Sequence, residues 1–267
     1  MIDKIINFRY SSILLAFSFV FIFANLILAN NQQQETINLE ISVDKEQALL
    51  FFHIADMQLL KGDINKALAN IAAAVDLDST NLNFLFKYAN IAERAGALDI
   101  AIQQYLTILI LAPEQTNVYL YLSKLFLNIN KPAQALQYLK IGAAADTKLL
   151  ENIEFKFYLA NSYFLTGQYE TSIYYYNSCL NNGYNNPEIL YNLGLANIFI
   201  NNFDTAIFLF ENLVEFEPEY IEVYIKLFEL YSKKKDITKF SELLAQFINL
   251  DTDLLSPNER AEIIAAA

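Results

Sequence analysis

The sequence has few of the residues that carry covalent and metal chemistry in proteins. Its 267 residues include one cysteine, Cys179, and one histidine, His53. One cysteine cannot form an intramolecular disulfide, and one histidine does not provide a typical His-rich metal site or a catalytic triad. The six glycines are scattered singly, so the sequence has no glycine-rich phosphate loop. We therefore expect no enzyme activity, no metal and no cofactor.

Positive charge, tryptophan and helix-breaking residues are also scarce. The chain carries 18 Lys and Arg residues against 30 Asp and Glu residues, which gives a net charge of −12. Nucleic-acid binding needs a basic surface, so this balance argues against it. With no tryptophan, 6 glycines and 5 prolines, the chain favours helices with few breaks. Apolar residues are abundant instead: 55% of the chain is hydrophobic, and 21 Phe and 17 Tyr contribute to this share.

Residues 1–29 differ from the rest of the chain. Lys4 and Arg9 precede an uncharged apolar run at residues 13–29. Basic residues stay in the cytoplasm, so we expect the remainder to be exported to a periplasmic or other extracytoplasmic location. As a helix, the run would span about 26 Å of a hydrocarbon core of about 30 Å. Two interpretations stay open: a signal peptide cleaved near Ala29, or an uncleaved anchor in the cytoplasmic membrane.

The stretch at residues 186–220 predicts two helices joined by a polar turn. Asn186 can cap the first helix, and Pro187 suits its first turn. Small residues, Gly194 and Ala206, stand where the two helices must approach closely. The stretch therefore forms one helix–turn–helix repeat.

The same pattern recurs with a period of 34 residues. Repeats start at residues 48, 82, 116, 153, 187 and 221, and three extra residues precede the fourth. Position 8 is small in five repeats and Phe in the sixth: Ala55, Ala89, Ser123, Ala160, Gly194 and Phe228. Position 20 behaves in the same way: Ala67, Ala101, Ala135, Ser172, Ala206 and Phe240. The first five turns carry residues that accept positive φ: Gly62, Gly96, Asn130, Gly167 and Asn201.

This pattern resembles the tetratricopeptide repeat, a 34-residue helix–turn–helix unit. The resemblance implies an all-α fold, a right-handed superhelical solenoid of about six antiparallel helix pairs over residues 48–254. A polar tether at residues 30–47 would precede it, and a capping helix at residues 255–267 would follow. Because both small contact positions hold Phe in the sixth repeat, we expect its two helices to pack with altered geometry.

The family usually binds protein in a concave groove formed by the first helices of successive repeats. Its best-known carboxylate-binding version is not supported, because Phe52 and Asp56 occupy the positions of the required Lys and Asn. Positions 5 and 9 of the first helices supply apolar and hydrogen-bonding side chains instead. We expect the groove to bind an apolar or extended partner segment through Phe52, Phe86, Asn90, Leu120, Lys124, Phe157, Asn161 and Tyr191.

A second candidate surface lies on the convex side. Positions 22 and 23 of the second helices are expected to point outward, and in repeats four and five they are apolar or aromatic: Tyr174, Tyr175, Phe208 and Leu209. This patch would mediate self-association.

The leading functional interpretation is a non-catalytic protein-binding scaffold of the cell envelope. The protein partner or partners are not specified, and an uncleaved N-terminal segment would add contact with the membrane. Two alternatives remain: an accessory protein that holds a lipid or small molecule, and a membrane-anchored assembly factor of the photosystem type.

Overall fold

The computed structural model describes residues 29–34, 43–184 and 186–250, together with residues 256, 258, 261 and 263. Within these residues the chain is helical and contains no strand. The apolar run predicted as a signal peptide or anchor lies almost wholly outside the described residues. No helix in the described part of the chain has the length and apolar character needed to cross a membrane.

Twelve helices form the repeats, after a short helical stretch at residues 29–34. The first, α1, covers residues 43–60. The others are α2 (Ile64–Leu77), α3 (Leu82–Arg94), α4 (Leu98–Leu111), α5 (Val118–Asn128), α6 (Pro132–Ala145), α7 (Ile153–Leu165), α8 (Tyr169–Asn181), α9 (Pro187–Phe199), α10 (Phe203–Phe216), α11 (Ile221–Lys234) and α12 (Ile237–Ile248).

Helix caps and turns follow from local sequence. The side chain of Asn186 accepts a hydrogen bond from the Glu188 backbone N–H, and Pro187 occupies the first turn of α9. The five predicted turn residues all adopt positive φ: Gly62, Gly96, Asn130, Gly167 and Asn201. In the sixth repeat the equivalent turn has a left-handed lysine, Lys235, at the end of α11.

The chain divides into two compact units, with the boundary between Leu111 and Ala112. The first contains α1–α4, and α2, α3 and α4 pack in consecutive order. The second contains α5–α12, and each of its helices packs on the next. This arrangement of consecutive helix pairs confirms the all-helical repeat fold.

Small residues allow the close helix contacts inside the repeats. A Cβ atom added to Gly194 in α9 would overlap the ring of Phe210 in α10. Both residues belong to the buried interior, and Ala206 is fully buried beside them. In the sixth repeat, by contrast, the rings of Phe228 and Phe240 pack against each other, with centroids 5.2 Å apart.

The three extra residues before the fourth repeat form part of a short 3₁₀ helix, Thr147–Glu151. The Asp146 side chain accepts a hydrogen bond from the Lys148 backbone N–H and begins this turn. Asn152 then caps α7 by accepting from the Phe155 backbone N–H. The insertion is therefore an ordered connection between α6 and α7.

Candidate functional site

The predicted groove residues at position 5 differ in burial. Phe52 and Phe86, in the first compact unit, are half-buried. Tyr191, in the second unit, is half-buried as well. Leu120 and Phe157 are buried. Both are core residues, so the prediction that they line an open groove is wrong.

The physical reason is that neighbouring helices cover these two side chains. Leu120 packs in a cluster with Leu139 of α6 and Phe155 of α7. Phe157 packs in a cluster with Tyr176 of α8 and Ile189 of α9. Position 5 is therefore buried in the third and fourth repeats and half-buried in the others.

Position 9 supplies polar groups that mainly connect successive repeats. Lys124 forms an ion pair with Glu154, with an Nζ–Oε1 distance of 2.6 Å. The Asn161 side chain accepts a hydrogen bond from the Tyr176 hydroxyl at 2.6 Å, and its amide nitrogen donates to Glu188 at 3.4 Å. Asn90, in the first unit, is exposed.

Within the second unit, four half-buried tyrosines form a surface that we call the tyrosine face: Tyr158, Tyr184, Tyr191 and Tyr220. Tyr191 of α9 stacks on Tyr220, which precedes α11, with ring centroids 5.2 Å apart. Tyr184, which precedes α9, lies with its ring centroid 5.9 Å from that of Phe157 in α7. The Nζ of Lys124 lies 5.3 Å from the centroid of the Tyr158 ring.

Burial and nearby carboxylates keep the hydroxyls of Tyr158 and Tyr220 neutral. Burial raises the pKa of Tyr158, and Glu154 and Glu188 act in the same direction against the opposing charge of Lys124. Burial also raises the pKa of Tyr220, and Glu188 adds to that increase. Neutral hydroxyls can donate hydrogen bonds, so the face combines aromatic area with donors beside a carboxylate.

Sequence reasoning found Tyr191 but missed the other three tyrosines. Tyr158 stands at position 6, and Tyr184 and Tyr220 stand in the connections between repeats. The available signal was the recurrence of an aromatic residue shortly before α9 and α11. None of these three tyrosines stands at position 5 or 9, where the predicted groove residues lie.

The convex patch is present only in part. Tyr174 is 68% exposed and Phe208 is 61% exposed. Tyr175 is half-buried and stacks on Tyr163, with centroids 5.7 Å apart. Leu209 is buried in a core cluster, so its predicted place in a surface patch is wrong. Position 23 points inward because it packs against the neighbouring first helix.

The described residues contain few side chains arranged for metal binding or catalysis. No group of three or more His, Cys, Asp or Glu residues among them could hold a metal ion. Cys179 is buried, and burial raises the pKa of its thiol to about 11, which keeps it protonated near neutral pH. His53 is exposed on α1 beside the ring of Phe52.

Several solved structures share the fold. YrrB, described as a TPR protein with an unusual peptide-binding site, is 18% identical over 73% of this chain and 95% of its own, with a TM-score of 0.59. PilW, described as a widely conserved type IV pilus biogenesis factor, is 16% identical over 81% of this chain and 98% of its own, with a TM-score of 0.61. PilF from Pseudomonas aeruginosa is 14% identical over 84% of this chain and 99% of its own, with a TM-score of 0.58.

Family comparison agrees with this architecture. Comparison with curated proteins gives no significant match. Tetratricopeptide-repeat family models match residues 55–116, 155–184 and 187–220. These ranges fall on the helix pairs described above. The chain therefore contains tetratricopeptide repeats at these residues, and such repeats generally mediate protein–protein interaction.

Proposed function

We propose that the chain is a non-catalytic scaffold of the cell envelope that binds an extended segment of a partner protein on the tyrosine face. The observation that carries this proposal is the group of half-buried rings at Tyr158, Tyr184, Tyr191 and Tyr220. Tyrosine offers a large rigid surface at low conformational cost, and for this reason it is enriched in protein interfaces. The face belongs to the second compact unit alone.

The chemistry of the face suits a backbone together with apolar side chains. Neutral tyrosine hydroxyls can donate to the carbonyl groups of an extended segment, while the rings cover its apolar side chains. Glu188 is exposed and can accept hydrogen bonds from backbone N–H groups or cationic side chains of the partner. YrrB, which shares the fold and is a TPR protein with an unusual peptide-binding site, supports this mode of binding.

The envelope location rests on the sequence before the repeats. Lys4 and Arg9 precede the apolar run, which favours export of everything that follows. The role of PilW, which shares the fold, as a type IV pilus biogenesis factor is consistent with such a location. A C-terminal alkaline phosphatase fusion should be active, and a C-terminal cytoplasmic fluorescent protein should stay dark. Fluorescence without phosphatase activity would contradict export.

Partner capture tests the face. The full-length chain with Tyr191→Ala and Tyr220→Ala should capture at least about tenfold less partner from envelope extracts, because one buried aromatic side chain contributes about 1.5–3 kcal/mol. Tyr174→Ala is the matched control, since Tyr174 is an exposed tyrosine on a different helix surface. Equal capture by the double variant and the control would contradict the proposal.

Folding needs a separate readout, because Tyr191 and Tyr220 also pack against the core of the second unit. Tyr191→Phe retains the ring and removes only the hydroxyl. It should keep the melting temperature and lose part of the binding, which would separate ligand contact from stability. Circular dichroism melts of all three variants provide the check.

A further inference from the structure

Position 2 of the first helices carries an exposed polar residue in repeats two to six. Repeats two and three have Asn83 and Asn117 there, and repeats four to six have Glu154, Glu188 and Glu222. The three glutamates stand in the first turns of α7, α9 and α11. They therefore form a row of carboxylates along the first helices of the second compact unit.

The first glutamate of this row is neutralised within the chain. Lys124, at position 9 of the preceding repeat, forms an ion pair with Glu154 at 2.6 Å. The same Nζ atom lies 5.3 Å from the centroid of the Tyr158 ring. A cation is thus held here by a carboxylate at position 2 together with the ring of a nearby tyrosine.

The second glutamate has no such counter-charge. Position 9 of the preceding repeat holds Asn161, whose amide nitrogen donates to Glu188 at 3.4 Å. One turn further along α9 stands Asn192, where a lysine could have paired with Glu188. No lysine or arginine of the described residues forms an ion pair with Glu188. Its charge is therefore uncompensated in the described part of the chain.

Tyrosines surround this carboxylate. Burial raises the pKa of Tyr158 and of Tyr220, and the charge of Glu188 acts in the same direction on both. Burial also raises the pKa of Tyr176, and Glu188 adds to that increase. Glu188 thus combines a negative charge with tyrosines of the repeat before it and of the connection after it.

The other charges of the face leave this negative charge in excess. The described charged groups that act on Tyr158, Tyr191 and Tyr220, besides Glu188, are Lys124, Glu154, Glu222, Lys226 and Glu229. Lys124 pairs with Glu154, and Lys226 pairs with Glu229 at 2.9 Å. Two glutamates, Glu188 and Glu222, then remain without a pairing lysine.

We infer that the tyrosine face selects a partner segment carrying an arginine or lysine side chain, which binds Glu188 beside the ring of Tyr220. This inference rests on the proposed function and specifies the chemistry of its partner. Lys124 already lies over the Tyr158 ring, so Tyr220 is the ring that a partner's cation can use. An acidic segment would meet two uncompensated carboxylates, which disfavours it.

Peptide pools test the inference. Each pool has arginine, lysine, glutamine or glutamate fixed at the centre and random uncharged residues elsewhere, and it is passed over the immobilised full-length chain in nonionic detergent. Wild type should retain the two basic pools about three- to tenfold more than the glutamine pool, and the glutamate pool least. Raising the salt concentration from about 0.05 M to about 0.5 M should reduce this preference, because Glu188 is exposed. Equal retention of all four pools would overturn the inference.

Substitution of Glu188 gives the sharper test. Glu188→Gln should abolish the preference for the basic pools, and Glu188→Lys should reverse it in favour of the glutamate pool. The matched controls are Glu170→Gln and Glu170→Lys, since Glu170 is also an exposed glutamate in the first turn of its helix, α8. The matched variants should melt alike, because each loses the same interaction with the helix dipole. A basic preference that survives Glu188→Lys would overturn the inference.

The same pools distinguish failure of this inference from failure of the proposed function. If Tyr191→Ala with Tyr220→Ala lowers equal retention of all four pools, the face binds extended segments without selecting charge. That result overturns only the cation preference. If wild type retains no pool, or if the double variant retains the pools as wild type does, the proposed face is wrong as well.

Discussion

Repeats five and six build the same helix pair in different ways. In repeat five, α9 has no side chain at Gly194, and the Phe210 ring of α10 occupies the space. In repeat six, α11 carries Phe228 in place of the glycine, and its ring packs against that of Phe240 in α12 at an inclination of 49°. The fifth repeat thus depends on close approach at a glycine, and the sixth on aromatic packing.

The connections differ as well. Asn201 adopts positive φ in the turn of repeat five, and Lys235 does so in repeat six. A lysine has no side-chain feature that favours this conformation, whereas asparagine can make local hydrogen bonds. The family match at residues 187–220 covers repeat five, and no matched range reaches repeat six. The comparison shows that repeat six forms the helix pair without the small residues at positions 8 and 20 by which such a repeat is usually identified.

Replacing the aromatic ring of Phe210 in repeat five or of Phe240 in repeat six should have the largest effect on the free energy of unfolding. Phe210→Ala should lower the free energy of unfolding by about 3–5 kcal/mol, because Phe210 is fully buried. Phe240→Ala should cost less than about 3 kcal/mol, because Phe240 is half-buried. Denaturant titrations followed by circular dichroism measure both values. Equal losses would show that the two contacts are equivalent.

Adding a methyl group to the glycine tests the close approach directly. Gly194→Ala should destabilise the protein by about 1–3 kcal/mol, because the new Cβ overlaps the Phe210 ring. Combining it with Phe210→Leu should give a smaller loss than the sum of the two single changes, since the smaller side chain leaves room. Strict additivity in the same titrations would rule out the clash.

Alkaline pH tests the hydrogen bond that links the two repeats. The Tyr231 hydroxyl of α11 donates to Glu211 of α10 at 2.7 Å. Burial raises the pKa of Tyr231, and Glu211 raises it further. The folded chain therefore keeps this proton at a pH where the unfolded chain releases it, so the stabilisation is complete below about pH 10 and declines above it.

The expected loss from Tyr231 is about 1.4 kcal/mol at pH 11, one unit above its ordinary pKa. Tyr231→Phe should flatten the decline of stability between about pH 8 and pH 11 by this amount, relative to wild type. The Lys239–Glu211 ion pair at 3.3 Å remains in the variant. If the free energy of unfolding declined equally with pH in wild type and Tyr231→Phe, Tyr231 would have the same pKa in the folded and unfolded chain.

Substitutions at the turn residues Lys235 and Asn201 should have the smallest effect on the free energy of unfolding. Lys235→Gly should raise the free energy of unfolding by about 0.5–1 kcal/mol, because glycine adopts positive φ without the steric penalty. Asn201→Gly should change it less, since asparagine already tolerates this conformation. Thermal unfolding of both variants provides the comparison. A loss of stability in Lys235→Gly would mean that its side chain makes a contact worth more than the strain.

The sequence predicts the helix pairs because close packing restricts a few positions severely. Gly194 indicates a close helix contact, because a larger residue would overlap the Phe210 ring. Asn201 indicates a turn, because few residues accept a positive φ. Such restrictions are local and repeat every 34 residues. Lys235 was not predicted to be left-handed, because nothing in its side chain indicates positive φ and the surrounding repeat imposes the turn.

The candidate site was less predictable, because exposure depends on the neighbouring repeats. Phe157 and Tyr191 share position 5, yet Phe157 is buried and Tyr191 half-buried. Tyr184 and Tyr220 come from connections whose course depends on the packing of the helices they join. The sequence therefore indicated which helices carry the surface, but not which side chains remain on it.

The exposed side chains of Leu50 and Met57 in α1 are linked to the order in which parts of the chain open. In an array of repeats stability comes from contacts between neighbours, and among the described residues α1 has a packed neighbour on one side only. Its backbone amides should therefore exchange with deuterium before those of α9, whose position 3 residue Ile189 is fully covered.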